Sequence, residues 1–199
     1  MELKNKIINS ASKLFMDKGY EKTSVQDIMN DCKVSKGGLY HHFASKEDIM
    51  LTIVDKVIDD ISISIVRVFK DKKLTPTEKL LIWIKQKTDI TATNKKLIIR
   101  IFESNKHVLI REEYLNKLRK KIYPLLIKNA RDGVKTGEFK MKYPEEMMKL
   151  ILVMREGIRM PLHSSSQKDV QKLILATAHT TEIIMGLKEN TIMDFLKIP

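Results

Sequence analysis

Two short helical patterns lie only a few residues apart between Ser24 and Phe43, and this spacing limits the folds open to the chain. In the first pattern apolar residues recur at helical intervals, at Val25, Ile28, Met29 and Cys32. The second begins after Ser35, a residue type favoured at helix N-caps, and extends to about His42. Two helices joined by so short a turn form a corner of the kind called helix-turn-helix.

The rest of the chain also follows a helical period and has no strand-like alternation. One helix is expected from Leu3 to a stop at Gly19, and a long one over about residues 46–70. Further helices are expected from Pro76, over about 95–110, over about 112–135 with a kink or a break near Tyr123 because of Pro124, from Pro144 to about 158 and, last, across Val170–Ile184. Seven Gly and five Pro are too few for the turns of a β-sandwich. The sequence therefore predicts an all-α protein.

Three capping patterns predict where helices begin. Thr23 and Gln26 have the spacing of a capping box, in which each side chain bonds the backbone N–H of the other residue. Ser45 and Asp48 repeat that spacing at the start of the long helix. Thr75 precedes a proline, the residue type favoured at the first helical position.

Several function classes are not indicated. The single cysteine, Cys32, cannot form a disulfide within the chain, which favours a reducing compartment. No apolar run is long enough for a signal peptide or a membrane span, so we expect a cytoplasmic protein with no membrane partner. The common nucleotide-binding, metalloprotease and serine-hydrolase motifs are absent, so we expect neither an enzyme nor a cofactor. Adjacent His41 and His42 point about 100° apart on a helix and cannot chelate a metal together.

The formal net charge of +12 is concentrated in the middle of the chain. Residues 51–140 carry 21 basic and 11 acidic residues, whereas residues 1–50 carry 8 and 7. This basic segment either forms a solvated face or attracts an anionic effector or DNA. Nucleic-acid binding by the N-terminal part must therefore follow from local geometry rather than from bulk charge.

The second helix of the corner carries side chains suited to the major groove. Candidate donors to phosphates or base edges are Ser35, Lys36, Tyr40, His41 and His42. Gly37 and Gly38 each cost about 1 kcal/mol in helix propensity, which suggests that this backbone approaches something closely. Lys46 begins the next helix, where unpaired backbone N–H groups attract a phosphate.

A longer pattern surrounds the corner, from Ile7 to Ile49. It consists of Ala11, Leu14-Phe15, Gly19-Tyr20, Thr23-Ser24-Val25, Asp27-Ile28, Val34-Ser35-Lys36-Gly37, Leu39-Tyr40, His42-Phe43 and Ser45-Lys46-Glu47. This pattern resembles the DNA-binding domain of the TetR family of bacterial transcriptional regulators. The resemblance implies a three-helix DNA-binding domain at residues 1–46 and a helical effector-binding and dimerisation domain at residues 47–199, with a connecting helix at about 46–70.

The resemblance also implies roles for particular residues. Tyr40 and Lys46 would contact phosphates, while Lys36, Gly37, Gly38 and His41 would lie near base edges. The full set expected at DNA is Thr23, Ser24, Ser35, Lys36, Gly37, Gly38, Tyr40, His41, His42 and Lys46.

The C-terminal domain of such a regulator would hold an effector pocket and a dimer interface. Expected pocket residues are Trp83, Phe102, Met147 and Met154. The helix from Pro144 is expected to bury a stripe of Met147, Leu150, Ile151, Met154 and Ile158. Small residues such as Gly157 and Ala176 on the last two predicted helices suit a four-helix dimer interface.

One hypothesis leads, and two alternatives stay open. The leading hypothesis is a homodimeric repressor that reads a pseudo-palindromic, double-stranded DNA operator and is released by an unidentified small-molecule effector. The first alternative is a helical small-molecule or lipid carrier whose N-terminal domain is only structural. The second is an RNA- or membrane-surface-binding protein that uses the basic middle segment. Sequence-specific DNA binding separates the leading hypothesis from both.

Overall fold

A computed structural model describes residues 2–89, 108–157 and 166–196. Within these ranges the chain forms ten α-helices and no strand, so the predicted all-α class is confirmed. The helices are α1 (Glu2–Asp17), α2 (Val25–Cys32), α3 (Lys36–Tyr40), α4 (Lys46–Lys70), α5 (Pro76–Asp89), α6 (Val108–Lys121), α7 (Tyr123–Thr136), α8 (Pro144–Gly157), α9 (Gln167–Met185) and α10 (Thr191–Leu196). None of these helices carries an apolar stretch of the length that a bilayer requires.

The described residues fall into two compact units. The first contains residues 2–61 and 108–117, and the second contains residues 62–89, 118–157 and 166–196. Helices α4 and α6 each contribute residues to both units. The functional division into residues 1–46 and 47–199 falls in the first turn of α4 and stays a prediction.

The core of the first unit is built from the apolar faces of α1 to α4. Residues that are at most 2% exposed include Ile7, Ala11, Phe15, Ile28, Leu39, Phe43 and Ile49. Ser10 on α1 donates a hydrogen bond to the Asp31 carboxylate near the end of α2 at 2.6 Å, which ties the two helices together. Cys32 is 2% exposed, and burial raises the pKa of its thiol, as expected for a residue that fills the core.

The helix boundaries near the middle of the chain follow proline and glycine. Pro124 lies in the first turn of α7, so the predicted break near this residue is confirmed. Gly137 ends α7 with φ of 78°, a left-handed conformation that glycine adopts without strain. The predicted helix start near Glu112 is wrong, because α6 runs from Val108 through that residue. Residues 95–107 of the preceding predicted helix lie outside the described residues.

The helix predicted to be last is followed by a further short helix, α10. Glu182 on α9 is 2% exposed, and its carboxylate accepts hydrogen bonds from the N–H groups of Asn190 at 3.1 Å and Ile192 at 2.7 Å. This buried carboxylate caps α10 and ties it to α9. With six residues, α10 is too short to show a helical period.

Helix α8 presents a different face to the core than the sequence predicts. Met148, Ile151 and Leu152 are at most 1% exposed, whereas Leu150 is 64% and Val153 is 63% exposed. The expectation that Leu150 is buried is therefore wrong, and Ile158 of the predicted stripe lies outside the described residues. Every residue from position 147 to position 154 except Lys149 is apolar, so periodicity could not select the buried face.

Candidate nucleic-acid interface

Helix α2 begins with a capping box one residue later than predicted. The Ser24 hydroxyl accepts a hydrogen bond from the Asp27 N–H at 3.0 Å, and the Asp27 carboxylate accepts one from the Ser24 N–H at 2.8 Å. The bond from this N–H, assisted by the Ser24 hydroxyl, holds the pKa of the Asp27 carboxyl below its usual value. The predicted pairing of Thr23 with Gln26 is wrong, because Asp27 takes the place that Glu or Gln more often fills.

Thr23 lies inside the first unit rather than on its surface. Its relative exposure is 0%, and its hydroxyl donates towards the carbonyl oxygens of Gly19 at 2.8 Å and Leu14 at 3.3 Å. A side chain held in this way cannot reach DNA, so the expected Thr23 side-chain contact is wrong. Ser24, which caps α2, is exposed.

A three-residue turn joins α2 to α3. Lys33 adopts the left-handed conformation with φ of 50°, and the Val34 N–H donates back to the Met29 carbonyl at 3.0 Å. Ser35 then caps α3 as predicted, its hydroxyl accepting a hydrogen bond from the Gly38 N–H at 3.1 Å. The helix ends at Tyr40, two residues earlier than expected. The predicted helix-turn-helix corner is therefore present.

Helix α3 is buried on one side and open on the other. Leu39 is 0% exposed and holds the helix against the core. The exposed residues of this segment are Lys36, Gly37, Tyr40 and His41, whose spacing places them on one face. His42 is half-buried, and its ring centroid lies 5.0 Å from that of His41. In the part of the chain that the structure describes, no group of three His, Cys, Asp or Glu residues could hold a metal ion.

The two glycines of α3 have different surroundings. A methyl group built on Gly37 would meet no atom of the described residues within 4 Å. One built on Gly38 would lie 3.1 Å from Val34 Cγ2 and 3.3 Å from Ser35 Oγ. Gly38 therefore serves internal packing, whereas nothing within the described ranges requires a glycine at position 37.

Lys46 uses its ammonium group within the protein. Its Nζ donates hydrogen bonds to the carbonyl oxygens of Tyr20 at 2.9 Å and Thr23 at 3.0 Å. The same atom lies 4.3 Å from the centroid of the Tyr20 ring, within the range of a cation–π interaction. The side chain expected at a phosphate thus ties the start of α4 to the loop between α1 and α2. In the first turn of α4 the Asp48 N–H donates to the Ser45 hydroxyl at 3.1 Å, so Ser45 caps this helix as predicted.

The segment that forms this corner matches known proteins. The sequence model of the family described as "Bacterial regulatory proteins, tetR family" covers residues 7–53. Identity is 49% over 53 residues to the uncharacterized HTH-type transcriptional regulator YuxN of Bacillus subtilis, covering 27% of this chain and 18% of YuxN. The A-factor receptor protein of Streptomyces griseus is 46% identical over 50 residues, which are 25% of this chain and 18% of the receptor protein. The HTH-type transcriptional regulator QacR of Staphylococcus aureus is 42% identical over 55 residues, which are 28% of this chain and 29% of QacR. The chain thus aligns with less than a third of the length of each of these relatives.

Similarity to solved structures extends over nearly the whole chain. The TetR family transcriptional regulator PfmR of Thermus thermophilus matches with a TM-score of 0.60 at 25% identity, covering 92% of this chain and 98% of PfmR. Residues 7–53 therefore match the sequence model of the TetR family, and the chain is similar to a solved TetR-family structure over nearly its whole length. Reduced NemR of Escherichia coli matches with a TM-score of 0.69 at 14% identity, and the match covers 95% of this chain and 100% of NemR. NemR therefore shares the fold. TetR-family proteins are regulators rather than enzymes, in agreement with the missing enzyme motifs.

Three of the four expected pocket residues lie in the second unit. Trp83 on α5 is 3% exposed, and the Arg155 guanidinium of α8 lies 5.1 Å from its ring centroid. Met147 and Met154 are half-buried on α8. The fourth, Phe102, lies outside the described residues.

Three polar residues of the second unit that the sequence did not predict meet at Glu156, the residue after Arg155 on α8. The Glu156 carboxylate accepts hydrogen bonds from Arg119 Nη2 at 2.7 Å and from the Tyr123 hydroxyl. These three residues belong to different helices, up to 37 positions apart in the sequence. Local periodicity carries no signal for such a pairing.

Proposed function

We propose that this protein is a homodimeric transcriptional repressor that binds a pseudo-palindromic operator in the cytoplasm and is released from it by a small-molecule effector. The observation that carries the proposal is the surface of α3. Leu39 is buried and fixes the helix, while the opposite side exposes Lys36, Gly37, Tyr40 and His41. A helix presented in this way can enter the major groove, which is about 12 Å wide.

Each exposed residue of α3 has a chemical role in this proposal. Lys36 can donate to a guanine edge, which is worth about 1–3 kcal/mol of discrimination against the wrong base. The Tyr40 hydroxyl, on a side chain that is 45% exposed, can donate to a phosphate oxygen. Gly37 removes a side chain that would keep the backbone away from the bases. The N-terminus of α4 supplies backbone N–H groups for a further phosphate.

Exposed stripes on α8 and α9 support the dimer. On α8 the exposed residues recur at intervals of four and three, at Glu146, Leu150, Val153 and Gly157. The stripe on α9 has the same spacing, at Lys172, Ala176, His179 and Ile183. Leu150, Val153 and Ile183 are 64%, 63% and 66% exposed in the single chain. Packing these stripes against a second copy forms a four-helix interface and removes apolar surface from water. A dimer also supplies the second recognition helix that a pseudo-palindrome requires.

We place the effector in the second unit, near Trp83. Trp83 itself is buried, and the Arg155 guanidinium over its ring carries donors that suit an anionic group of an effector. Half-buried Met147 and Met154 add adaptable apolar surface. One relative of the N-terminal segment is named a receptor protein, which accords with an effector-controlled regulator. Release from DNA requires that the effector bind one conformation more tightly than the other.

The test begins with genomic fragments that the purified protein retains, which are sequenced to find the shared site. Affinity for a duplex carrying that site is then compared with affinity for a scrambled duplex at one fixed salt concentration. We expect a preference of about 10³-fold or more. Lys36→Ala should reduce this preference, whereas Lys13→Ala, an exposed lysine of α1, should leave it unchanged. Equal affinity for both duplexes would contradict the proposal, and binding of an apolar ligand without any DNA binding would favour a carrier.

A further inference from the structure

The first turn of α1 lies directly beside α3. A methyl group built on Gly38 would be 3.8 Å from Leu3 Cδ2, so the Leu3 side chain runs along the recognition helix. The next residue, Lys4, places its Nζ 5.5 Å from the centroid of the Phe43 ring, just beyond the end of α3. Phe43 is 2% exposed whereas Lys4 is exposed, so the Lys4 ammonium lies over a buried ring and is itself accessible to solvent.

The width of the major groove determines what Lys4 would face when α3 is bound to DNA. An α-helix with its side chains is about 10–12 Å across, and the groove is about 12 Å wide. A recognition helix therefore nearly fills the groove. Groups packed along the flank of that helix face the groove wall, which is the sugar–phosphate backbone. Lys4 is a cation in such a flanking position.

We propose that Lys4 contacts a DNA phosphate and thereby fixes the first turn of α1 beside the recognition helix. The inference rests on the proposed DNA-binding function and adds a contact to the set expected from the sequence, in which no residue precedes Thr23. Glu2 lies about 200° around α1 from Lys4, so its carboxylate points away from this flank. Lys13 lies about 180° around the helix and about 13 Å further along its axis, and it therefore faces elsewhere.

The test is the salt dependence of binding to a fluorescein-labelled duplex of mixed sequence, which requires no knowledge of the operator. Lys4→Met keeps a long, flexible side chain at this position and removes the charge, whereas Lys13→Met removes the same charge from another face of the same helix. We expect Lys4→Met to reduce the log–log salt slope by about 0.9 per subunit. From about 50 to 200 mM salt the wild type should then lose about 3.5-fold more affinity than the variant for each contact. Lys13→Met should keep the wild-type slope, and Lys4→Arg should restore it.

The outcomes separate this inference from the proposed function. If the wild type binds with a steep salt slope that Lys4→Met does not change, the Lys4 contact is wrong and DNA binding stands. If the wild type itself shows no salt-dependent binding, the proposed function is wrong and the Lys4 contact with it. Thermal unfolding is measured on the same variants. A lowered Tm with an unchanged slope would assign Lys4 to packing on Phe43 alone.

Discussion

The Lys46 ammonium donates to the Tyr20 carbonyl oxygen at 2.9 Å and lies 4.3 Å from the centroid of the ring of the same residue. Tyr20 in turn packs on Phe15, with ring centroids 5.1 Å apart and an interplanar angle of 58°. Phe15 is 0% exposed. The start of α4 is therefore connected to the core of the first unit through one cation and two aromatic rings.

Replacing Lys46 should act on stability more than on the salt dependence of DNA binding. Hydrogen bonds to charged groups are worth about 1.5–3 kcal/mol, so we expect Lys46→Met to lower the free energy of unfolding by about 2 kcal/mol. Lys46→Arg should recover part of this loss, because the guanidinium can also donate to carbonyl oxygens. Denaturant titration measures the effect. If Lys46→Met instead keeps full stability and reduces the salt slope, Lys46 contacts a DNA phosphate.

The two glycines of α3 should respond oppositely to alanine. Gly37→Ala should leave thermal stability unchanged or raise it by up to about 1 kcal/mol, because the methyl group has room and alanine favours helix. We expect the same change to weaken DNA binding about tenfold or more, which is about 1.4 kcal/mol. Gly38→Ala should lower the Tm, because its methyl group would lie 3.1 Å from Val34. A Gly37→Ala protein with full DNA affinity would exclude a close approach at this residue.

A charge in the exposed stripe of α8 should prevent dimerisation without unfolding the chain. Val153 is 63% exposed in the single chain, so Val153→Glu should change its stability by less than about 0.5 kcal/mol. In the proposed interface the same carboxylate would be buried without a partner. Sedimentation equilibrium should give twice 23.1 kDa for the wild type and 23.1 kDa for the variant. Ile63→Glu, on α4 at 62% exposure, is the matched control and should stay dimeric.

The second unit contains a contact that admits no larger residue. A methyl group built on Gly133 would lie 2.1 Å from Phe139 Cδ2, and Phe139 is 2% exposed. Gly133→Ala should therefore lower the free energy of unfolding by about 1–3 kcal/mol or more, as overpacking does. Adding Phe139→Leu to Gly133→Ala should recover part of the loss. Calorimetry on the single and double variants checks this, and a Tm equal to that of the wild type for Gly133→Ala would contradict it.

Stability should fall at acid pH in part through Glu138. Burial alone would raise the pKa of this carboxyl, but hydrogen bonds from Thr77 and Thr136 outweigh it and hold the pKa below 4.5. A lowered pKa in the folded state means that the contribution is present above pH 4.5 and is lost as the pH falls through the lowered value. The Tm of Glu138→Gln should therefore decrease less than that of the wild type on acidification. Glu189→Gln, at an exposed position, is the control, and identical acid profiles for all three proteins would refute the assignment.

Local sequence signals predicted the all-α fold and one of the two helix starts in the helix-turn-helix corner. Ser35 caps α3 and Pro124 begins a helix because each acts on its own backbone neighbours, which the sequence displays directly. The predicted cap of α2 is one residue too early because Thr23 and Ser24 are both favoured at helix N-caps. Burial of the Thr23 side chain decides between them, and burial is a tertiary property.

The contacts of Lys46 could not be predicted, for the same reason. Its acceptors are backbone carbonyls 26 and 23 residues earlier in the chain, and every residue carries such an oxygen. No side-chain pattern marks the ones that are used. The position of Lys4 beside Phe43 likewise depends on how α1 packs against α3, across 39 residues of sequence.

Helix α4 is a continuous rod of 25 residues and is therefore about 37 Å long. A rod of this length acts as a lever, because a tilt of about 5° displaces one end by about 3 Å relative to the other. The bonds from Lys46 to Tyr20 and Thr23 measure 2.9 and 3.0 Å. Hydrogen bonds are lost beyond about 3.5 Å, so a displacement of that size either breaks both bonds or is taken up by rotation of the Lys46 side chain. A reorientation of only a few degrees at the far end of α4 is thus large enough to change the contact between its first residue and the loop that leads into α2.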